Sequence, residues 1–180
     1  MRDQLRVYAN GWYQGPREAV GPNVDLLIEA HDRFSVSHAI RIGNKLAEFD
    51  PMWLETPVQS SDIAATIAVA RQVAVPIATG ERFSRTGQFV DLLAHKLIDI
   101  VQPEVLKMGL GNIFKVCGIA EAAEALVACH QAQSPLCTAI NAHLHAAIPN
   151  FLIHENFDDS LEDWTWDVLQ GAPRVVDGGC

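Results

Sequence analysis

The chain has 180 residues, a formal net charge of -9 and a pI near 5.1, a balance that argues against nucleic acid or an anionic membrane as partner. No apolar run reaches the roughly 18 residues of a membrane-spanning helix, and the opening Met-Arg-Asp-Gln-Leu-Arg is no secretory signal, so a cytoplasmic location is expected. Apolar residues make up 49% of the chain, enough for one core, and the four cysteines show no CxxC or metal spacing; they read as reduced thiols, with Cys117 and Cys129 in the core.

In chain order, QLRVYA at residues 4 to 9 forms a predicted strand, followed by a loop through Pro22 broken only by a short helical turn at residues 17 to 20. VDLLIE then makes a strand ending at Glu29. Ser35 or Ser37 caps a helix running to about Glu48, with Ala39, Ile40, Ile42, Leu46 and Ala47 as its buried stripe. After Asp50-Pro51 comes MWLE, then Ser60-Ser61-Asp62 opening a helix over Ile63 to Val73, the strand Val75 to Thr79, a helix near Gln88 to His95 and the strand Ile98 to Val101. Asn112 to Ala125 is a helix, Leu126 to Cys129 a strand, Thr138 to Ala147 a helix and Asn150 to Ile153 the last strand. Residues 156 to 180 carry acidic residues and Trp164 and Trp166, expected to pack on the body of the fold.

Six of these runs end on an ionisable residue, Glu29, Glu55, Glu81, Glu104, His130 and Glu155, at steps of 26, 26, 23, 26 and 25 residues. Short Val/Ile/Leu-rich runs separated by one amphipathic helix are βα units, and a period near 25 with a polar residue at each strand end predicts a (β/α)8 TIM-type barrel. In that fold the C-terminal strand ends share one mouth, so five carboxylates and a histidine face a common centre. A complete barrel takes about 250 residues, more than this chain holds.

Glu29, Glu55 and Glu81 end three successive strands. Two like charges about 4 Å apart repel by roughly 4 kcal/mol at an effective dielectric near 20, so three ionised carboxylates need a cation, and oxygen-only ligation selects Mg2+ before Mn2+. The competing explanation makes one or two of them helix caps or ion-pair partners of Arg82 and Arg85. His31, two residues past Glu29 and on the same face by strand alternation, would donate a proton to a leaving hydroxyl; alternatively it is a loop residue of an exposed His-Asp-Arg turn. His130 lies beside Glu104, and a carboxylate next to imidazole fixes its tautomer and raises its basicity, as a general base requires. His38, His95, His143, His145 and His154 fall on helices or inside a strand, and Lys107 reads as a solvated loop charge.

The runs LLIEAH, WLETPV, IATGERF, DIVQPE, VACHQAQSP and PNFLIHE together resemble the barrel of the enolase superfamily, in particular the mandelate racemase subgroup and its sugar-acid dehydratases. The resemblance implies Mg2+ on Glu29, Glu55 and Glu81, an acid-histidine dyad of Glu104 and His130, and a further carboxylate, Glu155, that hydrogen-bonds substrate or enediolate across the mouth. It implies dehydration of a small carboxylate substrate, an acid sugar, by α-proton removal and loss of a β-hydroxyl; racemisation or cycloisomerisation on the same site, and a barrel remnant that binds metal or a partner without turnover, are the alternatives. Glu29 and Glu104 stand where the family has Asp, and each added methylene moves its carboxylate outward by about 1.5 Å.

The expected architecture is therefore an α/β, incomplete (β/α)8 barrel of about seven parallel strands without the family's N-terminal capping domain. Residues 1–23 are a first-strand remnant and loop, 24–155 the barrel core and 156–180 a covering segment. The family's second strand is missing where Pro16 meets Arg17. Either QLRVYA then pairs directly with VDLLIE, or the open edges are covered and the chain forms a homo-oligomer, the favoured outcome.

Overall fold

The computed structural model describes residues 7–9, 23–157, 162, 164–167, 169 and 171. Strands β1 (Val7–Ala9), β2 (Leu27–Glu29), β3 (Trp53–Glu55), β4 (Ile77–Thr79), β5 (Ile100–Val101), β6 (Leu126–Val127) and β7 (His154–Asn156) are all parallel to their neighbours. β2 to β6 form one sheet in sequence order, and β1 pairs with β7. The two sheets meet where Val127 bridges Phe151, with Val127 N–H donating to Asn150 O at 2.8 Å and Leu152 N–H to Val127 O at 2.9 Å. Helices α1 (Val36–Leu46), α2 (Ile63–Ala70), α3 (Thr86–Leu93), α4 (Val105–Met108), α5 (Leu110–Ala122) and α6 (Pro135–Ala147) connect the strands from β2 onward, and α7 (Trp164–Asp167) follows β7. This is the expected incomplete α/β barrel. Among the described residues β1 forms no ladder with β2, so the direct pairing of QLRVYA with VDLLIE is not made.

Alternation along the strands sorts the core into two layers. Trp53, Ala78, Ile100, Ala128 and Ile153, with Leu27 against them, form one apolar cluster inside the barrel. Their alternates Leu54, Ile77, Val101, Val127 and Cys129 pack outward against the helices. One step further along the inward series stand Glu29, Glu55, Gly80, Gln102, His130 and Glu155, so a polar layer rests directly on an apolar floor.

The helices start where the sequence signals. Ser35 Oγ accepts from His38 N–H at 3.4 Å at the head of α1, and Asp62 Oδ1 accepts from Ala65 N–H at 2.9 Å at the head of α2. Within α1, Gly43 lets the helix pack closely, since a Cβ there would lie 2.8 Å from Val73 Cγ1.

Three expectations need correction. Lys107 lies on α4 and not in a loop; Glu104 caps this one-turn helix by accepting from Leu106 N–H at 3.2 Å. The last strand is His154–Asn156, because residues 150 to 152 bond to β6 and the chain then moves over to β1, so Glu155 lies inside a strand and not past its end. Trp164 is 66% exposed, because the one-turn α7 turns Thr165 inward and carries its neighbour round to solvent. The thiols of Cys117, Cys129 and Cys137 are buried and free, and burial pushes Cys117 up to about 12; Cys180 lies outside the described residues.

Outside the barrel wall His145 of α6 and His154 of β7 are fully buried, with Nδ1 to Nδ1 at 3.0 Å. His145 Nε2 accepts from Cys129 N–H at 3.3 Å, so its proton is on Nδ1 and is donated to His154. Burial drives the His154 pKa down to about 4 from 6.5. The unfolded chain then takes up this proton first, so the contribution of His154 to stability is complete above about pH 6.5 and falls as pH drops toward 4. The stability difference between the parent and His154→Leu should therefore shrink by on the order of 3 kcal/mol over that window. Denaturant titrations of both proteins at pH 7 and pH 4 measure it; a pH-independent difference would rule out the buried neutral pair.

Candidate active site

The mouth is built by strand ends and the turns that follow them. β2 and β3 pair Glu29 with Glu55 in register, which sets these carboxylates side by side. Burial first, then the charges of Glu55 and Glu81, push Glu29 up to about 10, so without a cation it holds a proton facing Glu55. Glu55 is also raised, chiefly by burial, although Trp53 Nε1 donates to its Oε2 at 3.0 Å from the apolar floor. Its other oxygen, Oε1, is buried without a hydrogen-bond partner.

Glu81 reaches the mouth through a break in alternation. Gly80 at φ 125° ends the strand pattern, and a Cβ there would strike Phe89 Cε1 at 2.6 Å, so glycine alone permits the turn that swings Glu81 inward. Oε2 of Glu81 lies 3.2 Å from His130 Nε2, and Oε1 lies 3.3 Å from Arg82 Nε. Lys107 Nζ donates to the Glu81 carbonyl at 2.7 Å, tying α4 to the same turn.

Glu104 and His130 form an isolated parallel bridge, and Glu104 Oε2 is 2.5 Å from His130 Nδ1. Burial works against ionisation of Glu104, but the hydrogen bonds from His130 and Leu106 and the charges of His130 and Lys107 outweigh it and hold the carboxyl below its ordinary range. For His130, burial lowers the pKa, yet the Glu104 hydrogen bond and the charges of Glu155, Glu81 and Glu104 carry it up to about 9. Glu155 is fully buried and accepts from Gln131 N–H at 2.8 Å, which ties β7 to the residue after His130.

His31 comes to the mouth by a turn and not by strand alternation. His31 and Asp32 both have left-handed backbones, φ 52° and 63°, which fold His31 N–H back onto Glu29 Oε1 and bring Asp32 N–H to Thr56 O at 2.8 Å. Thr56 itself sits at φ 41°, a costly conformation for a β-branched residue and one that concentrates at functional sites. Arg82 joins the loops: Nε binds Asp32 Oδ2 at 2.6 Å and Nη2 is 3.2 Å from His31 Nε2. Arginine only donates, so His31 Nε2 is an acceptor and the ring's proton is on Nδ1, 3.8 Å from Glu29 Oε1.

All seven residues singled out in the sequence thus converge on one mouth. Ligand atoms of Glu29, His31 and Glu81 lie within 4.8 Å of one another, a possible metal site in which His31 stands where Glu55 was expected; Glu55 packs against Glu29 beside that cluster. The ion-pair explanation holds in part as well, for Glu81 pairs with Arg82. Trp53, Gln102 and Asp32 are the participants the sequence did not single out, and the bridge from Arg82 to the His31 turn is equally new.

Acid and imidazole groups gathered at the C-terminal strand ends of an α/β barrel are where enzymes of this architecture carry their active sites. Residues 14–180 match the enolase C-terminal domain-like family, and the chain belongs to it. D-gluconate/D-galactonate dehydratase of Picrophilus torridus is 35% identical over 163 residues, covering 90% of this chain and 41% of that protein. D-xylonate dehydratase of Haloferax volcanii is 32% identical over 162 residues, 89% and 39% of the respective chains. A crystal structure of an enolase superfamily member from Salmonella Typhimurium superposes with a TM-score of 0.86 at 29% identity, over 91% of this chain and 42% of that one. The chain spans about two fifths of the length of these curated relatives. No helix among the described residues is long and apolar enough to cross a membrane.

Proposed function

We propose that the chain carries the metal and proton-transfer groups of a Mg2+-dependent acid-sugar dehydratase, acting on a small polyhydroxy carboxylate. The observation that carries this is the juxtaposition of three acidic strand ends with an imidazole braced by its own carboxylate; the sugar-acid dehydratases among the relatives supply the substrate class.

The residues fit a hard cation. Carboxylate oxygens dominate the donors, with the His31 imidazole beside them; one oxygen, Glu55 Oε1, is buried and unpartnered, and Glu29 is forced to keep a proton that a cation would replace. Glu29, Glu55 and Glu81 would hold Mg2+, which when bound supplies positive charge against a substrate carboxylate whose α-carbon is being deprotonated.

His130 takes the α-proton at Nε2, while Glu104 holds Nδ1–H and steadies the imidazolium that forms. Nε2 is turned to Glu81 in the structure, so the base is released only when Glu81 is engaged elsewhere. The electron pair of the broken C–H bond forms the α,β double bond, and the bond from the β-carbon to its oxygen breaks. His31, once Nε2 leaves Arg82 and takes up a proton, delivers a proton from the resulting imidazolium to the departing hydroxyl, which leaves as water and returns the ring to neutral; the enol then tautomerises to the 2-keto acid. Glu155 keeps the His130 loop in place through Gln131.

His31→Asn separates this reaction from racemisation: loss of water should fall by about 10² to 10⁴ while exchange of the substrate α-proton continues. NMR of a D-gluconate or D-galactonate incubation in D2O reads both rates, and equal loss of exchange would remove His31 as the acid. Mg2+ binding without exchange in the parent chain would favour a barrel that binds metal but does not turn over. Self-association belongs to the same proposal: light scattering at micromolar concentration should give a dimer or larger species, and a stable monomer would sink it.

A further inference from the structure

We propose that Gln102 is a positioning residue of the cation centre, its side-chain amide locking Glu55 into one-oxygen ligation and so setting the preference for Mg2+ over Ca2+. The inference rests on the assignment of Glu55 as a ligand.

Gln102 follows β5 and belongs to the inward series Ile100, Gln102, Glu104, two residues past Ile100 and two before Glu104, the residue that bridges His130. It is fully buried, yet neither Oε1 nor Nε2 has a hydrogen-bond partner in the structure. A buried amide with both ends unpaired is costly, and native structures keep such groups where another state satisfies them. Its neighbour in that layer on β4 is Gly80, which has no side chain to separate it from Glu55. The Gln102 amide lies near the Glu55 carboxylate but closes no hydrogen bond with it in the structure.

Glu55 has one oxygen committed, since Oε2 accepts from Trp53, and one uncommitted, Oε1. A carboxylate oxygen has two lone pairs, so Oε1 can face a cation with one and accept from Gln102 Nε2 with the other. With donors on both oxygens the carboxylate plane is fixed and cannot rotate to offer both oxygens to one ion. Ca2+ accepts bidentate carboxylates and irregular shells, whereas Mg2+ demands near-octahedral single-oxygen donors, so this lock favours Mg2+. Partners one shell out from a ligand commonly change metal affinity by about 10- to 100-fold.

The test is titration calorimetry of Mg2+ and of Ca2+ into the parent chain, Q102M and Q102N. Q102M keeps the volume and removes the amide; Q102N keeps buried polarity but withdraws the amide by one methylene. Both variants should lose at least about tenfold in Mg2+ affinity with a smaller change for Ca2+, so that the Mg2+/Ca2+ ratio narrows. An unchanged ratio in whichever variant melts cooperatively overturns the lock even if both affinities drop together, since simple loosening would weaken both ions alike. Failure of the parent to bind either ion overturns the Glu55 assignment instead, and the lock with it.

Discussion

Replacing Glu55 with Gln is expected to abolish Mg2+ binding, a loss of more than about a hundredfold in affinity, while leaving the metal-free fold at least as stable as the parent. The substitution removes one of the facing acids but keeps an acceptor for Trp53 Nε1, so the packing above the apolar floor survives. The metal-free site carries its own pH signature. With Glu29 raised to about 10 from 4.5, the folded chain binds a proton that the unfolded chain has lost, so metal-free stability falls as pH rises through that window. Mg2+ must displace that proton, so its affinity and the stabilisation it confers should increase with pH over the same range. Calorimetry in buffers of different ionisation enthalpy reads the proton release directly. Binding to the Glu55→Gln variant as tight as to the parent would remove Glu55 from the site.

His130→Ala should lower α-proton exchange by about 10² to 10⁴, and Glu104→Gln by less, because the imidazole remains and loses only its brace. The geometry ranks them this way: His130 alone touches both Glu104 and Glu81. His130 carries its pKa near 9 in the metal-free protein, so it is charged at neutral pH and inactive as a base until Glu81 is withdrawn from Nε2. Exchange should therefore depend on Mg2+ even at saturating substrate. Deuterium incorporation followed by NMR measures both variants, and unchanged exchange in His130→Ala would take it out of the mechanism.

Much of this was legible in the sequence because one periodicity carries both fold and site. The 26-residue spacing places Glu29 and Glu55 in register, and the same alternation that buries Trp53 and Ile100 aims Glu55 and Gln102 at the mouth. What stayed hidden depends on departures from that alternation or on contacts between distant loops. The left-handed turn at His31 and Asp32 and the Arg82 bridge between them join residues about fifty positions apart, which no local pattern encodes. Gln102 was readable in principle, lying two residues after Ile100 and two before Glu104, but a neutral amide draws less notice than a carboxylate. α4 went unseen because one turn between Pro103 and Gly109 is too short for a periodic signal, although Glu104 is a usable cap. The shift of the last strand to His154–Asn156 arises from a change of pairing partner, from β6 to β1, which is a property of the sheet and not of the segment.

Anomalous diffraction from crystals soaked in Mn2+ tests the cation centre most directly. A single peak within about 2.5 Å of oxygens from Glu29, Glu55 and Glu81 is the expected result. A peak held by Asp32 or other acids with those three carboxylates empty, or no peak at the strand ends, would contradict it.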